Sequence, residues 1–80
     1  MYTAEIKVMP LKELLDPQGK AVLSGLDNLG LKNIGDVRIG KHIVLQIDTD
    51  SKERALTIAE GAAKKLLANP VMEEYTIQIN

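Results

Sequence analysis

The side chains in this sequence that could do chemistry are few and scattered. His42 is the only histidine and there is no cysteine, whereas metal binding and nucleophilic catalysis both need several converging groups. Glu73 and Glu74 are adjacent carboxylates, but neighbours on a strand project from opposite faces and cannot form a dyad. Ser24 and Ser51 occur in helix and cap contexts rather than in a nucleophile turn. We therefore predict a chain with no active site, metal or bound cofactor of its own.

Two Gly-Lys pairs raise the question of phosphate binding. Gly40-Lys41 lacks the earlier glycine, the following Ser or Thr and the helix that a P-loop requires. Gly19-Lys20 falls in the first turn of a predicted helix, where free amides attract anions, but a plain helix cap with a solvated lysine is the simpler interpretation. A phosphate hydrolase built on Arg38 and Asn69 would need a glycine-rich cradle, which the sequence does not contain.

Composition and charge narrow the class of protein further. The 80 residues carry a formal net charge of −1 and no basic stripe of the kind that binds nucleic acid. No apolar run approaches the roughly 20 residues that span a bilayer, and the first residues do not resemble a signal peptide. We predict a cytoplasmic protein that binds neither nucleic acid nor membrane. Its only aromatic residues are Tyr2 and Tyr75, so its small aliphatic core should gain from self-association.

Hydrophobic patterns predict the elements that hold these side chains. Alternation from Tyr2 to Val8 indicates a first strand with one buried face. Asp16-Pro17 is typical of a helix start and Gly30 of a helix end. Between them lies an apolar face, within which Gly25 would let the helix backbone approach a neighbour closely. That face consists of Val22, Gly25, Leu26 and Leu29.

The second half of the chain predicts three more strands and one more helix. Gly40 and Lys41 divide a β-branched stretch into the runs 34–39 and 42–48, which we interpret as a hairpin. Asp50 or Ser51, with Glu53 completing a capping box, predicts the start of a helix that runs to about Leu67 on a face of small residues. Asn69-Pro70 ends it, and alternation through Tyr75, Ile77 and Ile79 indicates a last strand.

The resulting order, β-α-β-β-α-β, predicts a single α+β domain over residues 1–80. Its ferredoxin-like topology places one antiparallel sheet beneath two helices that share one face. The opposite face has no internal partner, and we predict that another protein chain covers it. Its members are Thr3, Glu5, Lys7, His42, Val44, Gln46, Thr76 and Gln78.

Four segments together resemble the PurS subunit family of phosphoribosylformylglycinamidine synthase. They occur in the family's order, at similar separations and over nearly the whole chain. The segments are Leu15-Asp16-Pro17-Gln18-Gly19, Val37-Arg38-Ile39-Gly40-Lys41, Leu66-Leu67-Ala68-Asn69-Pro70-Val71 and Glu74-Tyr75.

The resemblance implies a place in the fourth step of purine biosynthesis, where formylglycinamide ribonucleotide (FGAR), glutamine and ATP give the amidine (FGAM). The chain would be a non-catalytic homodimer or tetramer that bridges a PurL-type synthetase subunit and a PurQ-type glutaminase subunit and aids ammonia transfer. ATP and Mg would be used by the synthetase subunit. A different class of function stays open, a dimeric regulatory module that binds a small-molecule effector between its subunits.

The motif positions carry the structural or interface residues that the resemblance implies. Turn and cap chemistry accounts for several of them, and Arg38, Lys41 and Tyr75 are the ones that it explains least. The full set is Asp16, Pro17, Gln18, Gly19, Arg38, Gly40, Lys41, Asn69, Pro70, Glu74 and Tyr75.

Overall fold

The computed structural model of the protein describes all 80 residues, in which three strands alternate with two helices. A π-helical turn, Ala63–Leu67, continues the second helix. Neither helix has the length and apolar character needed to cross a membrane. The elements are β1 Tyr2–Pro10, α1 Pro17–Asn28, β2 Lys41–Ile47, α2 Lys52–Ala62 and β3 Glu73–Ile79.

The three strands form one antiparallel sheet in the order β2-β1-β3. Ala4 of β1 lies opposite Leu45 of β2 and Ile79 of β3, so the alternation of each strand places its apolar residues on the same face. The polar members of the predicted outer face share the opposite face, as the sequence indicated. The outer edges of β2 and β3 have no strand partner.

The core lies between β1 and α2. Ala4, Ile6 and Val8 of β1 are fully buried, as are Ala55 and Ala59 of α2. Alanines at a spacing of four let the helix backbone approach the sheet closely. The predicted small-residue face of the second helix is therefore confirmed, and its run to Leu67 is confirmed with the π-helical turn as its last part.

The predicted helix ends are largely confirmed. Asp16 caps α1 with Pro17 in its first turn, and Gly30, at φ 89°, follows its last turn. Ser51 caps α2 by accepting a hydrogen bond from the Arg54 amide at 3.4 Å. Because Ser51 is the cap, the capping box based on Asp50 is not formed.

The predicted hairpin between residues 34–39 and 42–48 is wrong. Residues 34–40 form neither helix nor strand, and β2 begins at Lys41. Two backbone amides of this segment are bound by side chains instead of by a partner strand: the Asp36 carboxylate accepts from the Val37 amide at 2.9 Å, and the Asp16 carboxylate accepts from the Ile39 amide at 2.9 Å. The layout is thus β-α-β-α-β, with one strand fewer than predicted.

Most of the segment between β1 and β2, residues 12–39, projects beyond the sheet, and we call this part the arm. The molecule measures 51 × 24 × 14 Å, and its radius of gyration is 16.0 Å, against about 12 Å for a compact domain of this length. Within α1 only Gly19 is buried. The structure differs here from the prediction, because only α2 covers the sheet of the single chain.

Candidate functional site

Most of the motif residues meet where the arm joins the sheet, in a region that we call the junction. It comprises the end of β1, the start of α1, residues 36–41, the turn after α2 and the start of β3. A cleft of about 430 Å³ opens at the junction between Pro10, Leu14, Gln18 and Met72.

Asp16 ties the two sides of the arm together at the junction. One carboxylate oxygen accepts from the Gly19 amide at 3.0 Å and the other from the Ile39 amide at 2.9 Å. These bonds to Gly19 and Ile39 lower the pKa of the Asp16 carboxyl below its ordinary value; burial opposes them, and the nearby Arg38 charge adds a smaller lowering effect. The carboxylate therefore stays ionised and closes a link of 23 residues.

Two glycines let backbone segments touch at the junction. A Cβ on Gly19 would collide with the Val37 carbonyl oxygen, and a Cβ on Gly40 would collide with the Val8 carbonyl oxygen. Both positions need glycine because of these close approaches rather than because of an unusual backbone angle. The Arg38 guanidinium adds a hydrogen bond to the Pro10 carbonyl oxygen.

The turn after α2 forms the other side of the junction. Lys41 donates to the Leu67 carbonyl oxygen at 3.2 Å, and its ammonium lies 3.8 Å from the Glu73 carboxylate. Glu73 also accepts from the Asn69 amide at 2.7 Å, and the Asn69 side chain accepts from the Val71 amide at 3.0 Å. Asn69 and Lys41 therefore hold the turn that contains Pro70.

Glu73 is the junction residue that sequence reasoning missed. Its neighbour Glu74 was included with the motif, whereas Glu73 was considered only as a rejected catalytic carboxylate. The available signal was its spacing of four from Asn69, which lets a carboxylate reach back to the amide of a turn.

Two motif residues lie away from the junction contacts, on β3. Tyr75 lies opposite Val8 and packs, half-buried, against the core. Glu74 lies opposite Met9 and points to the other face. Packing against the core therefore accounts for Tyr75, which the sequence analysis could not explain by turn or cap chemistry.

No cluster of His, Asp and Glu in the 80 residues is arranged to hold a metal ion. His42 lies on the outer face, with its Nε2 atom 3.2 Å from the Glu5 carboxylate. The Arg38 and Asn69 side chains bind backbone groups and do not converge on a common point. The side chains of the junction hold the arm, β1 and the turn after α2 together.

Comparison with known proteins identifies the fold family. The family model described as PurS, phosphoribosylformylglycinamidine (FGAM) synthase, matches residues 3–80. The chain belongs to the PurS family. The resemblance that the four motif segments indicated is therefore confirmed.

Curated PurS relatives match nearly end to end. The PurS chain is 43% identical over 77 residues to the PurS subunit of Mycobacterium leprae, covering 96% of this chain and 94% of that protein. It is 35% identical over 79 residues to the PurS subunit of Bacillus subtilis, covering 99% and 93%.

Solved PurS structures share the fold. Methanocaldococcus jannaschii PurS is similar at a TM-score of 0.89 and 34% identity, covering 100% of this chain and 96% of that one. A chain in the structure of PurLQS from Thermotoga maritima is similar at 0.90 and 30% identity, covering 99% and 96%. The ferredoxin-like α+β class is thereby confirmed.

Proposed function

We propose that this PurS chain is the small subunit of an FGAM synthase in purine biosynthesis, and that it joins a synthetase subunit to a glutaminase subunit without an active site of its own. The observation that carries the proposal is its end-to-end similarity to PurS subunits and to a chain of a PurLQS assembly. A bridging role needs a rigid body with free surfaces rather than reactive groups.

The chemistry in this proposal belongs to the partners. The glutaminase subunit releases ammonia from glutamine, and the synthetase subunit uses ATP and Mg to convert FGAR to FGAM. This chain binds neither nucleotide nor metal and helps ammonia pass without loss to solvent. The charged side chains of the junction support this proposal, because they already bind groups of their own chain. They are Asp16, Arg38, Lys41 and Glu73.

The outer face of the sheet is the surface offered to a larger subunit. Its side chains are linked by hydrogen bonds from Thr3 to Gln46 at 3.1 Å, from Gln78 to Asn80 at 3.3 Å and from Asn80 to Glu5, and His42 contacts Glu5. Val44 at its centre is 54% exposed, and a mixed face with one exposed apolar residue is typical of an interface rim. The subunit is a homo-oligomer in the cytoplasm.

Reconstitution tests the proposal. Glutamine-dependent FGAM formation is measured with synthetase and glutaminase from the same organism, with and without the purified chain, and ammonia replaces glutamine as a control. We expect the chain alone to be inactive, glutamine-dependent activity to require it, and ammonia-dependent activity to need only the synthetase. No stimulation by the chain would overturn the proposal, and a thermal shift with one small effector but no response to the partners would favour the regulatory alternative.

A further inference from the structure

The cleft at the junction has an apolar wall that the chain itself leaves open. Leu15 is 68% exposed and Met72 is 53% exposed, and both line the cleft together with Leu14. Its volume of about 430 Å³ falls within the size range of ligand sites in proteins. Exposed apolar side chains that are grouped in this way commonly mark a binding surface. The cleft can therefore accept apolar side chains from outside the chain.

Unused polar groups also line the cleft. Gln18 is exposed, and its side-chain amide binds no group of the chain. The Asn69 side chain accepts from the Val71 amide through its oxygen, which leaves its NH₂ group free to donate. The carboxylates in the lining, Asp16 and Glu73, already accept from backbone amides of their own chain. Gln18 and Asn69 therefore offer hydrogen bonds that suit the peptide groups of an incoming segment.

Three basic side chains lie directly beside the cleft. A smaller cavity of about 160 Å³ is lined by Lys12, Lys20 and Arg38. Leu14 and Leu15 line both this cavity and the cleft, so the two spaces adjoin. We call them together the junction groove. Lys12 and Lys20 form no ion pair within the chain, so their charges are available to a partner.

The carboxylates of the smaller cavity do not neutralise these cations. Asp16 accepts from two backbone amides, and Asp36 accepts from the Val37 amide. Neither carboxylate forms an ion pair with a lysine or with Arg38. The cations outnumber the carboxylates by three to two, in a chain whose formal net charge is −1. This end of the junction groove is therefore locally positive and attracts an acidic group.

The junction groove is held open by contacts within the chain. The Asp16 carboxylate binds both the Gly19 and the Ile39 amides, which joins the start of α1 to the end of the arm. The Arg38 guanidinium binds the Pro10 carbonyl oxygen through one of its nitrogen atoms and keeps further N–H groups for a partner. A groove that is preformed in this way loses little conformational freedom on binding, which favours affinity.

We propose that the junction groove binds a segment of a larger synthase subunit in which an apolar side chain stands beside an acidic one. The apolar side chain packs against Leu15 and Met72 in the cleft, and the carboxylate pairs with Lys12 and Lys20. Apolar anchors in a pocket supply affinity, and complementary charges at its rim set orientation and partner choice. Resting on the proposed function, this contact names the surface through which the chain joins a larger subunit.

Charge reversal tests the acidic half of the contact. Lys20→Glu places a carboxylate in the first turn of α1, where it favours the helix, so a loss of binding is not a loss of folding. Isothermal titration calorimetry measures the affinity for the synthetase and for the glutaminase separately. We expect Lys20→Glu to raise the Kd for one of them by about tenfold. The matched control Lys52→Glu, at the start of α2 and the other end of the sheet, should stay within about threefold.

A polar substitution tests the apolar half of the contact. Leu15→Gln keeps the length of the side chain but removes its apolar end from the wall of the cleft. We expect about a tenfold rise in the Kd for the same subunit, whereas Leu56→Gln, at an exposed leucine of α2, should leave it within about threefold. The junction groove needs both halves. Binding by either Lys20→Glu or Leu15→Gln that is as tight as that of the parent chain overturns the inference.

A cross-link identifies the occupant. Because the chain has no cysteine, Gln18→Cys takes a single photoreactive label, which is activated after mixing with synthetase and glutaminase from the same organism. We expect the label to attach to one of these subunits, at a segment that has Asp or Glu beside an apolar residue. Attachment to a segment without an acidic residue or to a second copy of this chain overturns the inference. Attachment no stronger than from a label on Lys52→Cys does so too.

The parent chain separates a failure of the contact from a failure of the proposed function. A parent chain that binds neither larger subunit refutes the proposed function. A parent chain that binds and stimulates the synthase, while Lys20→Glu and Leu15→Gln do so equally well, refutes the inference alone.

Discussion

Asp16 shows at the residue scale how one side chain can serve as both helix cap and tertiary link. A cap was predictable from Asp16-Pro17, because the chemistry is local. The second hydrogen bond, to the Ile39 amide, joins residues far apart in sequence, and no local pattern encodes it. The same reasoning applies to Glu73, whose partners Asn69 and Lys41 come from different elements.

Replacing Asp16 should remove its pH-dependent contribution to stability. Its pKa is lowered in the folded state from the ordinary 3.8, so its stabilisation is fully present above that value and is lost as the pH falls through the lower folded pKa. Asp16→Asn keeps one acceptor oxygen and cannot serve both amides. We expect a lower Tm at pH 7 than in the parent chain and a difference that shrinks below about pH 4.

Asp48→Asn is the matched control, since Asp48 is exposed and makes no hydrogen bond or ion pair through its side chain. Circular dichroism melting from pH 2.5 to 8 measures all three proteins. A Tm for Asp16→Asn equal to that of Asp48→Asn at every pH would show that the link does not stabilise the fold.

Gly19→Ala should be destabilising although it lies in a helix. Alanine is normally favoured over glycine there by about 1 kcal/mol, but the added methyl would collide with the Val37 carbonyl oxygen. Overpacking of this kind costs about 1–3 kcal/mol, so urea denaturation should give a lower free energy of unfolding. An increase in the free energy of unfolding would mean that the backbone at Val37 has room to move away from α1.

At the element scale, alternation predicted β1, β2 and β3 because each has one face on the core, which fixes a period of two. The run 34–39 has equally β-branched residues yet pairs with nothing. Composition records the preference for extended backbone but not the presence of a partner strand. The apolar face of α1 was likewise recognised, but the structure leaves most of it exposed, since within α1 only Gly19 is buried.

A substitution at Gly61 tests whether the side of α2 that faces away from the sheet contacts a partner subunit. A Cβ there meets nothing within 4 Å, so Gly61→Ala should raise the free energy of unfolding by about 1 kcal/mol through helix propensity alone. If the position is also a close approach for a partner's backbone, the variant will be more stable but will fail to stimulate the reconstituted synthase. If Gly61→Ala is more stable and stimulates the synthase fully, helix propensity accounts for the whole effect. A lower free energy of unfolding would show that the added methyl does meet a neighbour.

The shape of the whole molecule is the feature that the sequence did not predict. Length and composition indicated a compact domain of about 12 Å radius of gyration, whereas the chain has 16.0 Å. The contacts at the junction explain the difference, because they hold the arm away from the sheet. Most of α1 therefore stays exposed in the single chain. An arm that projects beyond the sheet leaves surface free for a partner, which supports the proposed role as a joining subunit.

The proposed function is that this chain joins subunits and does not turn over a substrate. It is tested most directly by titrating the chain into fixed amounts of synthetase and glutaminase while measuring glutamine-dependent FGAM formation. We expect no glutamine-dependent rate in the absence of the chain, then a linear rise and a sharp break at a fixed molar ratio, beyond which added chain changes nothing. A rate that keeps rising in proportion to the chain, or that is already full without it, would show that the chain does not act as a joining subunit.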